Sequence, residues 1–165
     1  MGERAGRWVA GGLVLVLLAL VGATAWVVIA GRDEVDEELT AAQQDVAGAA
    51  RAEAVAFLTV DHRDMDPLID AVLDGATGDF AEQYASQRET LTREAVRTEA
   101  TSTPEVVSLG VGDQDADTAT VLVAANSTVT NTGTGAEGQV RYYRLRLELV
   151  REDGRWLTDD LRFVR

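Results

Sequence analysis

The stretch QVRYYRLRLELVRED, residues 139–153, has the strictest two-residue alternation in the chain. Apolar side chains recur at every second position, namely Tyr143, Leu145, Leu147 and Leu149. Charged side chains occupy positions 144, 146 and 148 between them. Because successive side chains of a strand point to opposite faces of a sheet, this pattern predicts a strand with one buried face and one solvated face.

Turn signals on both sides of this stretch predict an antiparallel sheet. Asp153-Gly154 is typical of a tight hairpin, which leads into RWLTDDLRFVR, where we expect Trp156 and Phe163 to join the core. Upstream, TATVLVAANSTVT (118–130) predicts a strand, and NTGTGAEG (131–138) predicts a flexible loop. EVVSLGVGD (105–113) predicts the first strand, so the second half of the chain is expected to form a meander of about four strands.

Helical periodicity precedes the strands. Apolar residues recur three or four positions apart from Asp33 onward: Val35, Leu39, Ala42, Val46, Ala50, Ala54, Phe57 and Leu58. A second helix is expected from Asp66-Pro67, capped by Asp66, to Gly75, and a third from about Thr77 or Asp79 until Ser102-Thr103-Pro104. Helices followed by strands predict an α+β domain, with about three helices on one face of a curved antiparallel sheet.

An uncharged stretch, WVAGGLVLVLLALVGATAWVVIA, occupies residues 8–30. As a helix it would be about 34 Å long, enough to cross a hydrocarbon core of about 30 Å. Ala23-Thr24-Ala25 also fits the cleavage site of a signal peptide, but the apolar stretch continues beyond it. We therefore predict an uncleaved transmembrane helix.

The charges around this span predict its direction. Arg4 and Arg7 precede the span, whereas the mostly acidic RDEVDEE (32–38) follows it. The positive-inside rule then predicts a cytoplasmic N-terminus (1–7), a single-pass transmembrane helix (8–30) and an extracytoplasmic domain (31–165) in the cell membrane.

Composition excludes several functions. The chain has no cysteine, which rules out disulfides, thiolate nucleophiles and cysteine metal ligands. Residues 1–32 carry three arginines and one glutamate, a net charge of +2. Because the whole chain has a net charge of −13, residues 33–165 carry −15. A domain that acidic repels phosphate backbones, which argues against nucleic-acid binding.

Two short motifs imitate known sites. Gly133, Gly135 and Gly138 match the GxGxxG dinucleotide fingerprint, but they precede a predicted strand and do not open a helix, so we interpret them as a hairpin loop. DQDAD (113–117) resembles the start of an EF-hand, but Thr118 and Ala124 stand where such a loop needs Gly and Glu. We interpret it as a turn.

The only histidine, His62, lies in Asp61-His62-Arg63-Asp64 between two predicted helices. A solvated corner is the simpler interpretation, because such turns favour polar side chains. The alternative is acid–base chemistry by His62 with Asp61, assisted by Tyr84 or Tyr143, which would require a cavity with His62 or a carboxylate pointing inward.

The order of several segments resembles the Mce-associated membrane proteins of actinobacteria. A single span is followed by LTVD (58–61), MDPLID (65–70), TGDFAEQY (77–84) and EDGRWLTDDLRFV (152–164). The resemblance implies an NTF2-like or SnoaL-like outer domain, similar to that of bitopic assembly factors of type IV secretion systems.

The same resemblance implies a function. It suggests a non-enzymatic, membrane-anchored accessory or scaffold subunit that assists an Mce-type lipid-transport complex in the cell envelope, with the membrane, Mce transporter subunits and a lipid ligand as partners. It carries no catalytic motif, so we expect no catalytic, cofactor-binding or metal-binding residues. A lipid- or sterol-binding carrier, and an NTF2-like isomerase or dehydratase, remain as alternatives.

Overall fold

The structure is a computed structural model that describes residues 40–165. The predicted cytoplasmic segment (1–7), the predicted transmembrane helix (8–30) and the first residues of the outer domain (31–39) lie outside the described residues. Within residues 40–165, no helix combines the length and apolar character that crossing a membrane requires.

Four helices precede most of a five-stranded sheet. The helices are α1 (Ala41–Leu58), α2 (Asp66–Gly75), α3 (Gly78–Ser86) and α4 (Arg88–Thr98). The strands are β1 (Val60–Asp61), β2 (Thr101–Gln114), β3 (Thr118–Thr130), β4 (Gln139–Glu152) and β5 (Arg155–Phe163). Every neighbouring pair in the order β1-β2-β3-β4-β5 is antiparallel. The predicted α+β class is therefore confirmed, as a meander beneath helices.

The first helix begins at a reciprocal cap. The Thr40 hydroxyl accepts from the Gln43 amide at 3.3 Å, and the Gln43 side chain accepts from the Thr40 amide at 2.9 Å. This capping box satisfies two amides that the first turn would leave without partners.

The main core lies between α1 and the sheet. Its buried members are Val46, Ala50, Ala54, Leu58, Ala119, Val121, Val123, Ala125, Leu145, Leu147 and Leu149. The alanines of α1 let the helix approach the valines and leucines of β3 and β4 closely. A second, smaller cluster of Met65, Ile69 and Ala95 holds α2 and α4 together.

The sheet has one strand more than predicted. Val60 and Asp61 form β1 by pairing with Ser102 and Thr101, so β2 starts before the predicted strand. Pro104, expected to end the third helix, lies inside β2. The pairing of β2 with β1 extends only to Ser102, so Pro104 has no partner in β1 that would need its missing amide hydrogen.

The predicted third helix is two helices. A bend at Gln87 separates α3 from α4, and the Gln87 amide donates to Tyr84 at 3.1 Å, three residues back. Arg88 then reaches α2, donating to Asp66 at 3.2 Å and to Asp70 at 2.5 Å. The bend directs α4 toward α2.

Two smaller expectations were wrong. Asp66 does not cap α2: the N-cap is Met65, no side chain bonds there, and the Asp66 carboxylate instead pairs with Arg88. Phe163 remains 59% exposed because it ends the edge strand β5, although its ring lies 6.0 Å from that of Phe57. Trp156 packs against the core as expected.

Candidate functional site

A buried glutamate is the most unusual side chain among the described residues. Glu53 lies in the middle of α1 and is only 3% exposed. It follows Ala50 by three positions and precedes Phe57 by four, so helical geometry places it on the face that packs against the rest of the domain. A buried carboxyl group in such a position needs a partner or a function.

The Glu53 carboxyl group lies against the end of α2. A Cβ added to Gly75 would come within 2.1 Å of Oε2. Gly75 therefore makes room for this carboxyl group, and any larger residue would displace it. Neither Oε1 nor Oε2 has a hydrogen-bond partner within residues 40–165.

Burial keeps this carboxyl group protonated. Burial, and to a smaller extent the charge of the nearby Asp74 carboxylate, raise the pKa of Glu53 from 4.5 to about 8. At pH 7 Glu53 is therefore mainly neutral and offers one O–H donor and one carbonyl acceptor.

Glu53 lines a cleft of about 600 Å³ between α1, α2 and the β4–β5 hairpin, here called the Glu53 cleft. Alanines form much of its wall: Ala49, Ala52, Ala56 and Ala71. Its charged lining residues, apart from Glu53, are Asp45, Asp74, Arg151 and Arg155. The cleft thus combines an apolar wall, a neutral carboxyl group and charges of both signs.

The two arginines of the cleft have different partners. Arg155 donates to the Asp74 carboxylate at 2.9 Å and to the Asp74 carbonyl at 3.0 Å, which ties the hairpin to the end of α2. The Arg151 guanidinium lies 5.9 Å from the ring centroid of Trp156. No carboxylate of the described chain forms a salt bridge with Arg151, so the cleft retains a cation held by an aromatic face.

Aromatic side chains extend from this region toward the sheet edge. The Phe57 ring lies 5.9 Å from that of Tyr84 and 6.2 Å from that of Phe80. Burial raises the pKa of Tyr84, and the charge of Glu53 contributes in the same direction. Phe57 and Tyr84 also line a second, more apolar groove of about 270 Å³ between α1, β1, α3 and α4.

The acid–base site considered as an alternative at His62 is not assembled. His62 Nδ1 lies 3.2 Å from the Ala100 carbonyl, and the His62 amide donates to the same carbonyl at 2.9 Å. Asp61 is occupied by Arg63, whose guanidinium and backbone N–H hold the Asp61 pKa down at about 2. His62 lines neither the Glu53 cleft nor the second groove. It is a corner residue that fastens β1 to the end of α4.

The two tyrosines considered as partners of His62 contact other residues. Tyr84 belongs to α3 and contacts Phe57, whereas Tyr143 belongs to β4, with its ring 6.0 Å from that of Phe163. Of these residues, Tyr84 is the one whose pKa is affected by the charge of Glu53.

Both imitation motifs are turns, as predicted. Gly133, Gly135 and Gly138 lie in the β3–β4 loop, with positive φ at the last two. In DQDAD, the Asp115 carboxylate accepts from the amides of Asp117 and Thr118 at 2.9 and 2.8 Å, which closes the β2–β3 turn. Within residues 40–165, no three acidic or histidine side chains converge closely enough to hold a metal ion.

The sequence interpretation did not select Glu53. The signal was present: Val46, Ala50 and Phe57 define an apolar helix face, and position 53 belongs to the same face by its three- and four-residue spacing. A lone charged residue on such a face is a candidate for burial.

Comparison with known proteins identifies the family. The chain belongs to the family described as Uncharacterized protein Rv1363c/MT1408-like, whose model matches residues 8–165. No curated protein sequence matches the chain.

Several solved structures share the fold. An IcmL-like type IV secretion system protein from Legionella pneumophila is 13% identical with a TM-score of 0.60, covering 76% of this chain and 93% of its own. The periplasmic domain of DotI is 9% identical with a TM-score of 0.57, covering 78% and 97%. A putative aromatic ring hydroxylase from Novosphingobium aromaticivorans is 20% identical with a TM-score of 0.50, covering 73% and 92%. At these identities the likeness shows the fold alone.

Proposed function

We propose that this protein is a non-enzymatic, membrane-anchored scaffold subunit whose outer domain assists an Mce-type lipid-transport complex in the cell envelope. The observation that carries the proposal is the fold, which is shared with the IcmL-like secretion protein and with the periplasmic domain of DotI. The uncharged stretch at residues 8–30 supports a single-pass anchor ahead of this domain. The order of segments shared with Mce-associated proteins supports the choice of machine.

The open face of the sheet is the surface on which we expect the transporter subunit to bind. Leu122 of β3 and Tyr142 of β4 are 52% and 79% exposed. They lie on the face opposite α1, because the two-residue alternation of each strand places the buried Val121, Val123, Leu145 and Leu147 on the other face. Arg144, on the same face, forms no salt bridge within the described part of the chain. The face therefore suits a partner segment that combines apolar side chains with a carboxylate.

Affinity purification of the full-length protein from crosslinked native membranes tests the proposal. We expect Mce transporter subunits to be recovered with the wild-type protein and to be lost with the double variant Leu122→Asp/Tyr142→Asp. Val96→Asp is the matched control, because Val96 is 53% exposed but lies on α4, away from the sheet face. Recovery of the protein without transporter subunits would contradict the scaffold function.

A second candidate function is supported by one observation. An inward-facing carboxyl group, Glu53, lines a cleft of about 600 Å³, which is the feature expected of a carrier or of an isomerase-type pocket. Bound lipid recovered from the same purification in the absence of protein partners would favour this carrier function over the scaffold.

A further inference from the structure

We propose that the Glu53 cleft is a binding site for a small, neutral, largely apolar molecule that carries a carbonyl or hydroxyl oxygen, and that the protonated Glu53 carboxyl group donates a hydrogen bond to that oxygen. The assignment is independent of the scaffold function, since a partner-binding sheet face does not require an interior site.

The Glu53 carboxyl group has unused hydrogen-bonding capacity. The residue is 3% exposed, and both of its carboxyl oxygens lack partners within residues 40–165. A buried polar group without a partner carries a desolvation penalty, which a ligand that supplies the partner would offset. Glu53 is one of the residues that line the cleft, and a rotation of its buried side chain toward the cleft would bring the carboxyl group to a molecule bound there.

Gly75 leaves space for this carboxyl group. Oε2 occupies the position that a side chain at residue 75 would need, and residue 75 is glycine. Gly75 does not have the positive φ that would by itself call for glycine. The close approach of Glu53 therefore explains the glycine.

The charges around Glu53 bear on the charge of the ligand. Asp45, Asp74, Arg151 and Arg155 line the same cleft, and Tyr84 of α3 is close enough for the charge of Glu53 to affect its pKa. Arg155 is paired with Asp74, so charges of both signs lie at the cleft. Glu53 itself is mainly neutral at pH 7 because burial raises its pKa to about 8. A neutral O–H donor against alanine walls favours a neutral acceptor over a cation.

Three probes of matched shape test the assignment: cyclohexanone, cyclohexylammonium and cyclohexanecarboxylate. Each is titrated into the full-length protein, and NMR follows the Trp156 indole resonance and the Glu53 side-chain carboxyl carbon. We expect cyclohexanone to shift both signals at pH 6 and to bind at least fivefold more tightly than either charged probe. Its affinity should fall about tenfold between pH 6 and pH 9, because the protonated fraction of Glu53 falls to about a tenth.

Variants separate donation by Glu53 from simple occupation of the cleft. Glu53→Gln retains an N–H donor, so it should bind cyclohexanone with no dependence on pH. Gly75→Ala should abolish binding, whereas Gly48→Ala, where an added Cβ meets nothing within 4 Å, should leave it unchanged.

Any of three results would overturn the assignment: no binding of the ketone at pH 6, stronger binding of either charged probe, or ketone binding by the wild-type protein that does not weaken at high pH. Loss of transporter subunits from the purification described above would leave these outcomes untouched, so the two proposals fail separately.

Discussion

Replacing Glu53 by glutamine should make the protein more stable at neutral and alkaline pH and leave it nearly unchanged at pH 5. In the folded state burial raises the pKa of Glu53 from 4.5 to about 8. The unfolded chain ionises this group near 4.5, whereas the folded protein holds the proton until about pH 8. Between these values the unfolded state binds fewer protons, so the free energy of unfolding falls as pH rises. The stability that the folded protein gains by holding this proton more tightly is fully present below the unfolded pKa and is lost as the pH approaches the folded pKa.

The magnitude follows from linkage. Each pH unit in this window costs about 1.4 kcal/mol, and Glu53 is half titrated at pH 8, so between pH 5 and pH 8 the wild-type protein should lose about 3.5 kcal/mol relative to Glu53→Gln. That is a large part of a typical domain stability of about 5–15 kcal/mol. For a domain of this size it corresponds to a difference in melting temperature on the order of 10 °C at pH 8.

Thermal and urea unfolding of the full-length wild-type and Glu53→Gln proteins, followed by circular dichroism at half-unit steps from pH 5 to pH 9, measures this difference. Glu82→Gln, a change on α3 at an exposed position, is the control for loss of one surface charge. Parallel stability curves for wild type and Glu53→Gln would refute the reasoning, because they would show that Glu53 titrates near its ordinary value in the folded protein.

Four further substitutions test the packing and the turn geometry. Gly75→Ala should destabilise the protein by about 1–3 kcal/mol, because the new Cβ would lie 2.1 Å from Glu53 Oε2. Gly48→Ala should stabilise it by about 0.5–1 kcal/mol. Urea unfolding of both variants measures these changes, and changes of the same sign in the free energy of unfolding would contradict the prediction. Leu147→Ala, in the centre of the sheet core, should cost about 2–5 kcal/mol in the same assay, and a loss below 1 kcal/mol would mean that the site collapses around the cavity. Gly154→Ala should cost about 1 kcal/mol, because φ there is +82°, and an unchanged melting temperature would count against the turn geometry.

Strands β3 and β4 were predictable from sequence because each has one buried face. The two-residue alternation of Leu145, Leu147 and Leu149 is imposed by the pleat, and the bounds of β3 at Thr118 and Thr130 match the predicted stretch. The turn residues Asp153 and Gly154 have the positive φ values that the hairpin signal requires. Here local sequence and tertiary structure demand the same residues.

The features that were not predicted depend on distant partners. β1 has only two residues and exists because Ser102 and Thr101 lie beside it, which no local pattern encodes. The bend at Gln87 follows a helical sequence with no Gly or Pro, and Arg88 reaches Asp66 and Asp70, about twenty residues earlier in the chain. Tertiary contacts override local preference at both places.

The candidate site was missed for a related reason. His62 attracted attention by its residue type, although its backbone and ring both bond to Ala100 at the end of the helical layer. The informative signal was position: Glu53 is an ordinary residue type on an apolar helix face. Its burial becomes certain only when Gly75 of another helix is seen against it.

The meander has a consequence for biosynthesis. β2 to β5 pair only with their neighbours along the chain, whereas α1 packs on β2, β3, β4 and β5 alike. α1 is synthesised before every strand on which it packs, so the surface that it contacts is complete only after the last hairpin has been synthesised. We expect hydrogen exchange during refolding to protect β3 and β4 before α1, and a chain that ends before Arg155 to leave α1 open to proteases. During synthesis, α1 would thus remain incompletely packed until β5 is available.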